Sequence, residues 1–596
     1  MPVWTGLLVL SAALLGCPRF TLLYALSIAG TLAIAAGEIL FLRALLDAGR
    51  SSLLPAFKKF TGYAVVVQYV ASALPRVEWA NAGLLSDGRV LFQYVLSLLC
   101  TAAGIALFAL MGGKGMLLAF GIITPEEAAD KALRKKNRDA RRKKPAAVAL
   151  EWVDSLAYAV ILVLLINIFV FQIYAVPSES MVPVFLSGDR PFTVKLLAGP
   201  KLPLTDYRLP FLKQPARGDV VTIANPRYPE NARVHLKKYL SQMVYMISFT
   251  AVNLDKTTEA GEMKADPLVK RIVGVPGEKL MMVDDVLYAR TAKDPQYRAV
   301  AADRDRYAQT DLWKLPAAQK KKIASFRVDE ATRRTLSSWD RRKNEADQAA
   351  LASRLAQGWM ALARRMEEIP EASIARIEKA DLPRADQTLV SMRDGYLRDA
   401  GSAGPGILTR NGAGTEDVSL FLAAARSPAV KAALNAYMMT GAAARSGPTA
   451  YERGSRALNL LIKENLLSRM ERDAAVFSAG GSLADLAVDV EHARLLRLAG
   501  ELYVYLHRYY DTRNFGEFPS GEAFLGPDQY FAMGDNRYNS MDFRYASEAG
   551  LRALDLSDPT SVRYASQLAP FPLEKKYIES FAFVRVWPFN RLGLIR

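Results

Sequence analysis

Two cysteines and three histidines are all that 596 residues supply of the usual metal-binding side chains. The cysteines, Cys17 and Cys100, both lie in apolar stretches, where a thiol is a small buried residue more often than a reagent. With no cysteine after Cys100, the remainder of the chain holds no disulfide and no thiolate metal site. His235, His492 and His507 are scattered without metal-pair spacing, so no zinc site is expected. No cofactor motif is present, and neither a metal nor a cofactor is expected. The chain also lacks any interleaving of aromatic and basic residues of the kind that binds nucleic acid, although its net charge is +17. Anionic lipid is the better partner for that charge, because many basic residues flank apolar segments.

Half of the chain, 51%, is apolar, unevenly spread: long apolar stretches crowd the first 180 positions, while the middle is charged and Ala-rich. Four stretches stand out there. Residues 22–42 are long enough to span a membrane, with Glu38 as a burden. Residues 63–74 are short, 90–111 have span length without charge, and 152–174 form the clearest span, charged only at Asp154. Arg19 follows the first apolar run instead of preceding it, so no cleavable signal is expected. Residues 131–144 (KALRKKNRDARRKK) carry nine basic residues and one acidic one. Such a loop stays cytoplasmic, so the span after it runs outward.

From about Val176 to Tyr288, β-branched runs alternate with Gly, Pro and Asp, as in PFTVKLLAG, GDVVTIANP and VKRIVGVPGEKLMMVDDVLY, and read as strands. From Arg290 to about Arg513, segments such as 341–368 and 457–472 carry helical spacing, and 401–414 are glycine-rich. Strand-like sequence returns at 529–534 and 580–587. The expected organisation is therefore an N-terminal transmembrane region (1–130), a basic cytoplasmic loop (131–151) and an anchor (152–174). A β domain follows in two parts (175–289 and 514–596), interrupted by a helical insertion (290–513). Residues 235–252 present apolar side chains on one helical face, which predicts a helix either packed on the β domain or lying on the membrane surface.

Chemistry concentrates in the β-like parts. Pro177-Ser178-Glu179-Ser180-Met181 follows the last span and leads to Ser187-Gly188-Asp189. Arg217-Gly218-Asp219 comes next, then Lys270-Arg271 with Gly274-Val275-Pro276-Gly277, then Gly534-Asp535-Asn536-Arg537 running on to Asp542. Taken singly these are a turn, a strand end and a polar loop. In this order, after an outward span, they resemble the type I signal peptidases over about 151–301 and 526–596. The first 150 residues and the helical insertion lie outside that resemblance.

The resemblance implies a membrane-anchored, mainly-β catalytic domain with N-terminal transmembrane helices and a large α-helical insertion. It implies Ser180 as nucleophile, Lys270 as general base, and Ser178 as oxyanion donor beside the Ser180 backbone N–H. It implies Ser540 as the residue that steadies the lysine, with Arg271, Asp535, Arg537 and Asp542 in support. Tyr174, Val176, Pro177, Phe185 and Val269 would line shallow pockets for small side chains. Tyr538 and Phe543 stand where that family varies. The implied activity is endoproteolytic removal of signal peptides from exported preproteins at the outer face of a bacterial cytoplasmic membrane. The implied partners are preproteins, membrane lipid and the secretion translocon. Two other readings are a Ser/Lys membrane peptidase dedicated to another substrate and a non-catalytic membrane scaffold.

The residue types suit that chemistry. A serine hydroxyl needs a base, and lysine serves only when its ammonium is discharged near neutral pH. Leu268, Val269, Ile272 and Val273 surround Lys270 in sequence, and apolar burial lowers a lysine pKa. No histidine lies near any motif, so a Ser-His-Asp triad has no base. Ser180 stands six residues past Tyr174, within about 20 Å of the expected membrane boundary at strand rise.

Overall fold

The structure is a computed structural model that describes residues 166–201, 208–228, 266–301, 330–379, 416–443 and 449–595, with shorter pieces and isolated positions elsewhere. Among the described residues, no helix is long and apolar enough to cross a membrane. Most of the four expected spans, the basic loop at 131–151, the glycine-rich 401–414 and most of 235–252 lie outside the described residues.

Fourteen strands form among the described residues, arranged in three antiparallel sheets. The largest has the order β1 (Phe171–Ile173), β2 (Arg190–Val194), β13 (Ile578–Trp587), β3 (Val220–Ile223), β4 (Leu268–Gly274), β9 (Gln529–Met533) and β12 (Leu573–Glu574). A short β14 (Gly593–Leu594) pairs with β13. Strand β3 is apolar or hydroxyl-bearing throughout, Val-Val-Thr-Ile, and buried at every position. That pattern belongs to a central strand covered on both faces. Its neighbours β13 and β4 come from opposite ends of the interrupted β sequence, so the sheet itself joins the two parts.

The segment expected to span through Tyr174 changes conformation before it ends. Helix stops at Phe169, Val170 turns, and Phe171–Ile173 pairs with β2 as strand β1. The Val170 carbonyl accepts the Lys195 and Leu196 N–H groups, which closes the turn. Tyr174 therefore belongs to the sheet side of this junction.

A second sheet has the order β7 (Arg298–Ala299), β6 (Val286–Thr291), β5 (Glu278–Val283) and β8 (Phe515–Phe518). Its strands run on past residue 289. The β5–β6 hairpin turns on Asp284 and Asp285, both with positive φ (49° and 70°). A two-residue hairpin whose right-handed twist continues through the turn needs that backbone, and Asp tolerates it better than most residues.

The helical part packs around one long helix. Helices α1 (Glu330–Glu345), α2 (Gln348–Glu368), α3 (Glu371–Lys379), α4 (Glu416–Arg426) and α5 (Pro428–Ala443) precede α6 (Ala450–Ser478). Helix α7 (Leu483–Ala487) and α8 (Val490–Val504) follow, and α8 runs on through a π-helical Tyr505–Tyr510 to Asp511–Arg513. Helix α6 starts in a capping box between Thr449 and Glu452 and spans about 43 Å at helical rise. Most of its circumference is buried, as befits a helix at the centre of a bundle, with a half-buried stripe through Leu461, Glu464, Ser468 and Glu471. Residues 341–368 are two helices, because the Asp347 carboxylate accepts the Ala349 and Ala350 N–H groups and starts α2 afresh.

The third sheet is the hairpin β10 (Tyr545–Ala553) and β11 (Arg563–Leu568), which sequence patterning did not reveal. Its Leu554, Val562 and Tyr564 enter the helical core. Buried Lys463 of α6 pairs with Asp558 in the hairpin turn at 2.6 Å. The same ammonium lies 4.2 Å from the Tyr437 ring centroid. The helical and β parts thus share a core.

Candidate active site

The nucleophile candidate sits in a tight loop held at both ends. Val176 N–H donates to the Asp189 carbonyl at 2.9 Å, and Gly188 N–H donates to the Val176 carbonyl at 2.8 Å. Gly188 has φ +90°, a conformation that favours glycine. The Asp189 carboxylate accepts Leu186 N–H and pairs with Arg591 at 2.9 Å. Inside the loop, Met181 and Phe185 are fully buried and pack with Val176, Val220 and Ala582. Apolar anchors therefore pin the residues immediately after Ser180.

Lys270 is the third residue of β4, between β3 and β9. Strand alternation sends Val269 and Arg271 to one face and Lys270 and Ile272 to the other. Its ammonium Nζ donates to Ser180 Oγ at 2.8 Å, joining residues 90 apart in sequence. The lysine is 3% exposed. Burial is the main reason its pKa falls to about 8; Asp542 pulls the value up and Arg544 pushes it down, with smaller opposing effects of Asp535 and Arg227. Ser178 Oγ lies 3.2 Å from Ser180 Oγ on the exposed side of the loop.

The 534–542 loop closes over this pair. Arg271 and Asp535 form a two-pronged ion pair with both contacts at 2.8 Å, and both side chains are buried. A third Arg271 nitrogen donates to the Gly218 carbonyl at 2.7 Å. That contact gives the Arg217-Gly218-Asp219 turn its part in the site. Gly218 adopts φ +92° there, and the Asp219 carboxylate accepts Ala216 N–H and Lys213 Nζ. Asp542 accepts Gly534 N–H at 2.9 Å and a forked pair from Arg544 at 2.9 and 3.0 Å. Burial alone would raise the Asp542 carboxyl, but Arg544, Lys270 and the Gly534 N–H together hold the group below its usual range. Arg537 is buried and donates to Met533 Sδ at 3.1 Å.

Three contributors were assigned no role from sequence. Asn536 N–H donates to the Ser180 carbonyl at 3.0 Å, and its side-chain amide donates to the Glu179 carbonyl at 3.1 Å. Gly534 has no room for a side chain, since a Cβ there would lie 2.1 Å from Ser540 Oγ and 2.4 Å from the Ser180 carbonyl oxygen. Arg544 neutralises the carboxylate nearest in effect to Lys270. The glycine and the asparagine belong to a motif that was visible, but their action depends on approach across the fold.

Some expected placements differ. Ser540 is beside Gly534, and its buried Oγ has no hydrogen-bond partner. It makes no hydrogen bond to Lys270, whose Nζ is turned to Ser180. Of the expected pocket residues, Pro177 is exposed and Tyr174 and Val269 are half-buried. Val176 (3% exposed) and Phe185 (0%) offer almost no surface and form the floor beneath the loop instead. Tyr538 and Phe543 make contacts within the fold: Phe543 is buried in the β core, and the Tyr538 hydroxyl donates to Asp285 at 3.2 Å. Among the described residues, no cluster of metal-ligating side chains occurs.

Residues 149–341 match the family described as signal peptidase, peptidase S26. That stretch contains Ser180 and Lys270 but not the 534–542 loop. Signal peptidase I T of Bacillus subtilis (strain 168) is 27% identical over 157 residues, 26% of this chain and 56% of its own length. Signal peptidase I of Rickettsia felis is 26% identical over 152 residues, 24% of this chain and 43% of its own. Signal peptidase I of Buchnera aphidicola is 30% identical over 120 residues, 20% of this chain and 27% of its own. The chain thus spans about half or less of the relatives it matches. No solved structure matches the chain significantly.

Proposed function

From the premise that this chain belongs to the type I signal peptidase family, we propose that it is a membrane-anchored serine endopeptidase that removes signal peptides from exported preproteins after small residues. The observation that carries the reading is the 2.8 Å contact between a buried Lys270 ammonium and Ser180 Oγ. Discharged, Lys270 takes the Ser180 proton as Oγ attacks the scissile carbonyl carbon. The tetrahedral oxyanion receives the Ser178 hydroxyl and the Ser180 backbone N–H. Donors so aimed are worth roughly a hundred- to thousandfold in rate. The lysine then gives its proton to the leaving amine, and a water activated by the same lysine resolves the acyl-enzyme.

The half-buried Tyr174 and Val269 and the exposed Pro177 are the side chains offered to a substrate at this rim. Small substrate residues suit a surface whose underlying Val176 and Phe185 are already packed. The apolar stretch that begins at Trp152 supports anchoring, and the basic 131–144 loop supports a cytoplasmic position for that loop. The β domain then lies on the extracytoplasmic side of a bacterial inner membrane, with the earlier apolar stretches as further spans. Membrane lipid and the secretion translocon are its proposed neighbours.

The test is a pH profile of kcat. Deprotonation of Lys270 creates the base, so kcat should rise with pH and level off above an inflection at about 8. A kcat that stays flat from pH 6 to pH 10 would exclude a lysine base.

A further inference from the structure

We propose that the helical insertion is a positioning element of the active site, acting through Arg513, Asp285 and Tyr538 on the 534–542 loop. The inference rests on the peptidase reading above and assigns the insertion a part in it.

The loop has no regular secondary structure between β9 and Asp542. On one side it holds the nucleophile, through the two Asn536 hydrogen bonds to the Ser180 and Glu179 carbonyls. On the other side it is held by the insertion. Tyr538, two residues after Asn536, donates its hydroxyl to Asp285 Oδ2 at 3.2 Å. That same oxygen accepts Arg513 Nε at 2.6 Å. Arg513 is the last residue of the helical stretch, and its Nη1 donates to Asp340 of α1 at 2.7 Å. Asp340 in turn accepts the Tyr505 hydroxyl at 2.7 Å. Tyr538 also meets Tyr509 edge-on, with ring centroids 6.3 Å apart.

Backbone contacts reinforce the connection. Asp285 N–H donates to the Arg513 carbonyl at 3.0 Å, and Asp284 N–H donates to Asn514 Oδ1 at 2.9 Å. Lys343 of α1 pairs with Asp284. The left-handed hairpin tip of β5–β6 is thus clamped to the exit of the insertion. A second bridge runs from Arg544, which donates to the Thr512 carbonyl, to the Arg537 carbonyl and to the Asp542 carboxylate. Both bridges start at the last turn of the insertion and end in the loop that bears on Ser180.

Buried charge-assisted networks resist displacement, since each member loses a partner if another moves. A loop fixed at Tyr538 and Arg537 fixes Asn536 between β9 and that brace, and with it the Ser180 backbone. A misplacement of about 1 Å at reacting atoms can cost roughly a hundredfold in rate. A network that merely joined two lobes would change stability and leave turnover alone.

The experiment compares full-length wild type, Tyr538→Phe, Asp285→Asn and the double variant on a model preprotein, well below the melting midpoint of each. Penem acylation of Ser180 is measured alongside. Tyr538→Phe keeps the ring, and Asn tolerates the positive φ of Asp285. The expected result is a kcat and an acylation rate lower by roughly ten- to hundredfold with KM within about twofold. The double variant should lose no more than the worse single one, because the two residues act as one unit. An unaltered kcat in Tyr538→Phe, or additive losses, overturns this inference alone. A wild type that neither cleaves preprotein nor takes the penem removes the peptidase reading and this inference with it.

Discussion

Lys270→Ala should lower kcat on a model preprotein by about four to six orders of magnitude, the scale on which proteases lose turnover when their nucleophile or base is removed. Lys270→Arg should be nearly as inactive. Arginine keeps the positive charge but does not discharge near neutral pH, so it offers no base. The pair of variants therefore separates a base from a mere cationic support for Ser180. Steady-state turnover of both, with retained folding checked by circular dichroism, makes the measurement. Substantial activity in Lys270→Arg would contradict the assignment.

The second large effect is on stability. Arg271 is 1% exposed, and its guanidinium is matched by the buried Asp535 carboxylate through two 2.8 Å contacts. Removing one partner of such a pair strands a buried charge, at a cost of about 3–5 kcal/mol. Asp535→Ala should accordingly lower the thermal unfolding midpoint strongly and release the Gly218 turn and the 534–542 loop together. The paired change Arg271→Met with Asp535→Leu should recover much of the loss, because apolar side chains of similar volume need no charge partner. The check is a melting curve of each purified variant. Asp535→Ala melting like the wild type would show that the pair is not a structural tie.

The order of its motifs made part of this site legible. Ser178, Ser180, Lys270-Arg271 and the Gly-Asp-Asn-Arg run stand out together through their resemblance to the type I signal peptidases, not singly. The strands at β3, β4, β5 and β6 were visible because turn formers bound their β-branched runs. What sequence could not carry was distance across the fold. Asn536 has no role of its own within its motif until its N–H meets the Ser180 carbonyl. Gly534 looks like turn chemistry until a Cβ is seen to strike Ser540 and Ser180. Arg544 belongs to no motif, yet it is fully buried against Asp542.

The β10–β11 hairpin was hidden by its own composition. In Arg563–Leu568 the buried positions are Tyr564, Ser566 and Leu568, and a buried serine breaks the apolar alternation. Ser566 is tolerated because its hydroxyl donates to Asp511 at 2.6 Å. Strand β10 is exposed over most of its length and carries Gly550. The strand at Phe171–Ile173 was concealed differently. Its apolar residues continue the preceding apolar run, and only pairing with β2 separates strand from helix.

The central claim is that Ser180 is the nucleophile of a signal peptide endopeptidase. The most direct measurement incubates a preprotein, its signal peptide ending in small residues, with the full-length wild type and with Ser180→Ala, and reads product masses. The account predicts a single cut after the small residues with the wild type and no product with Ser180→Ala. Equal cleavage by the two proteins would contradict it.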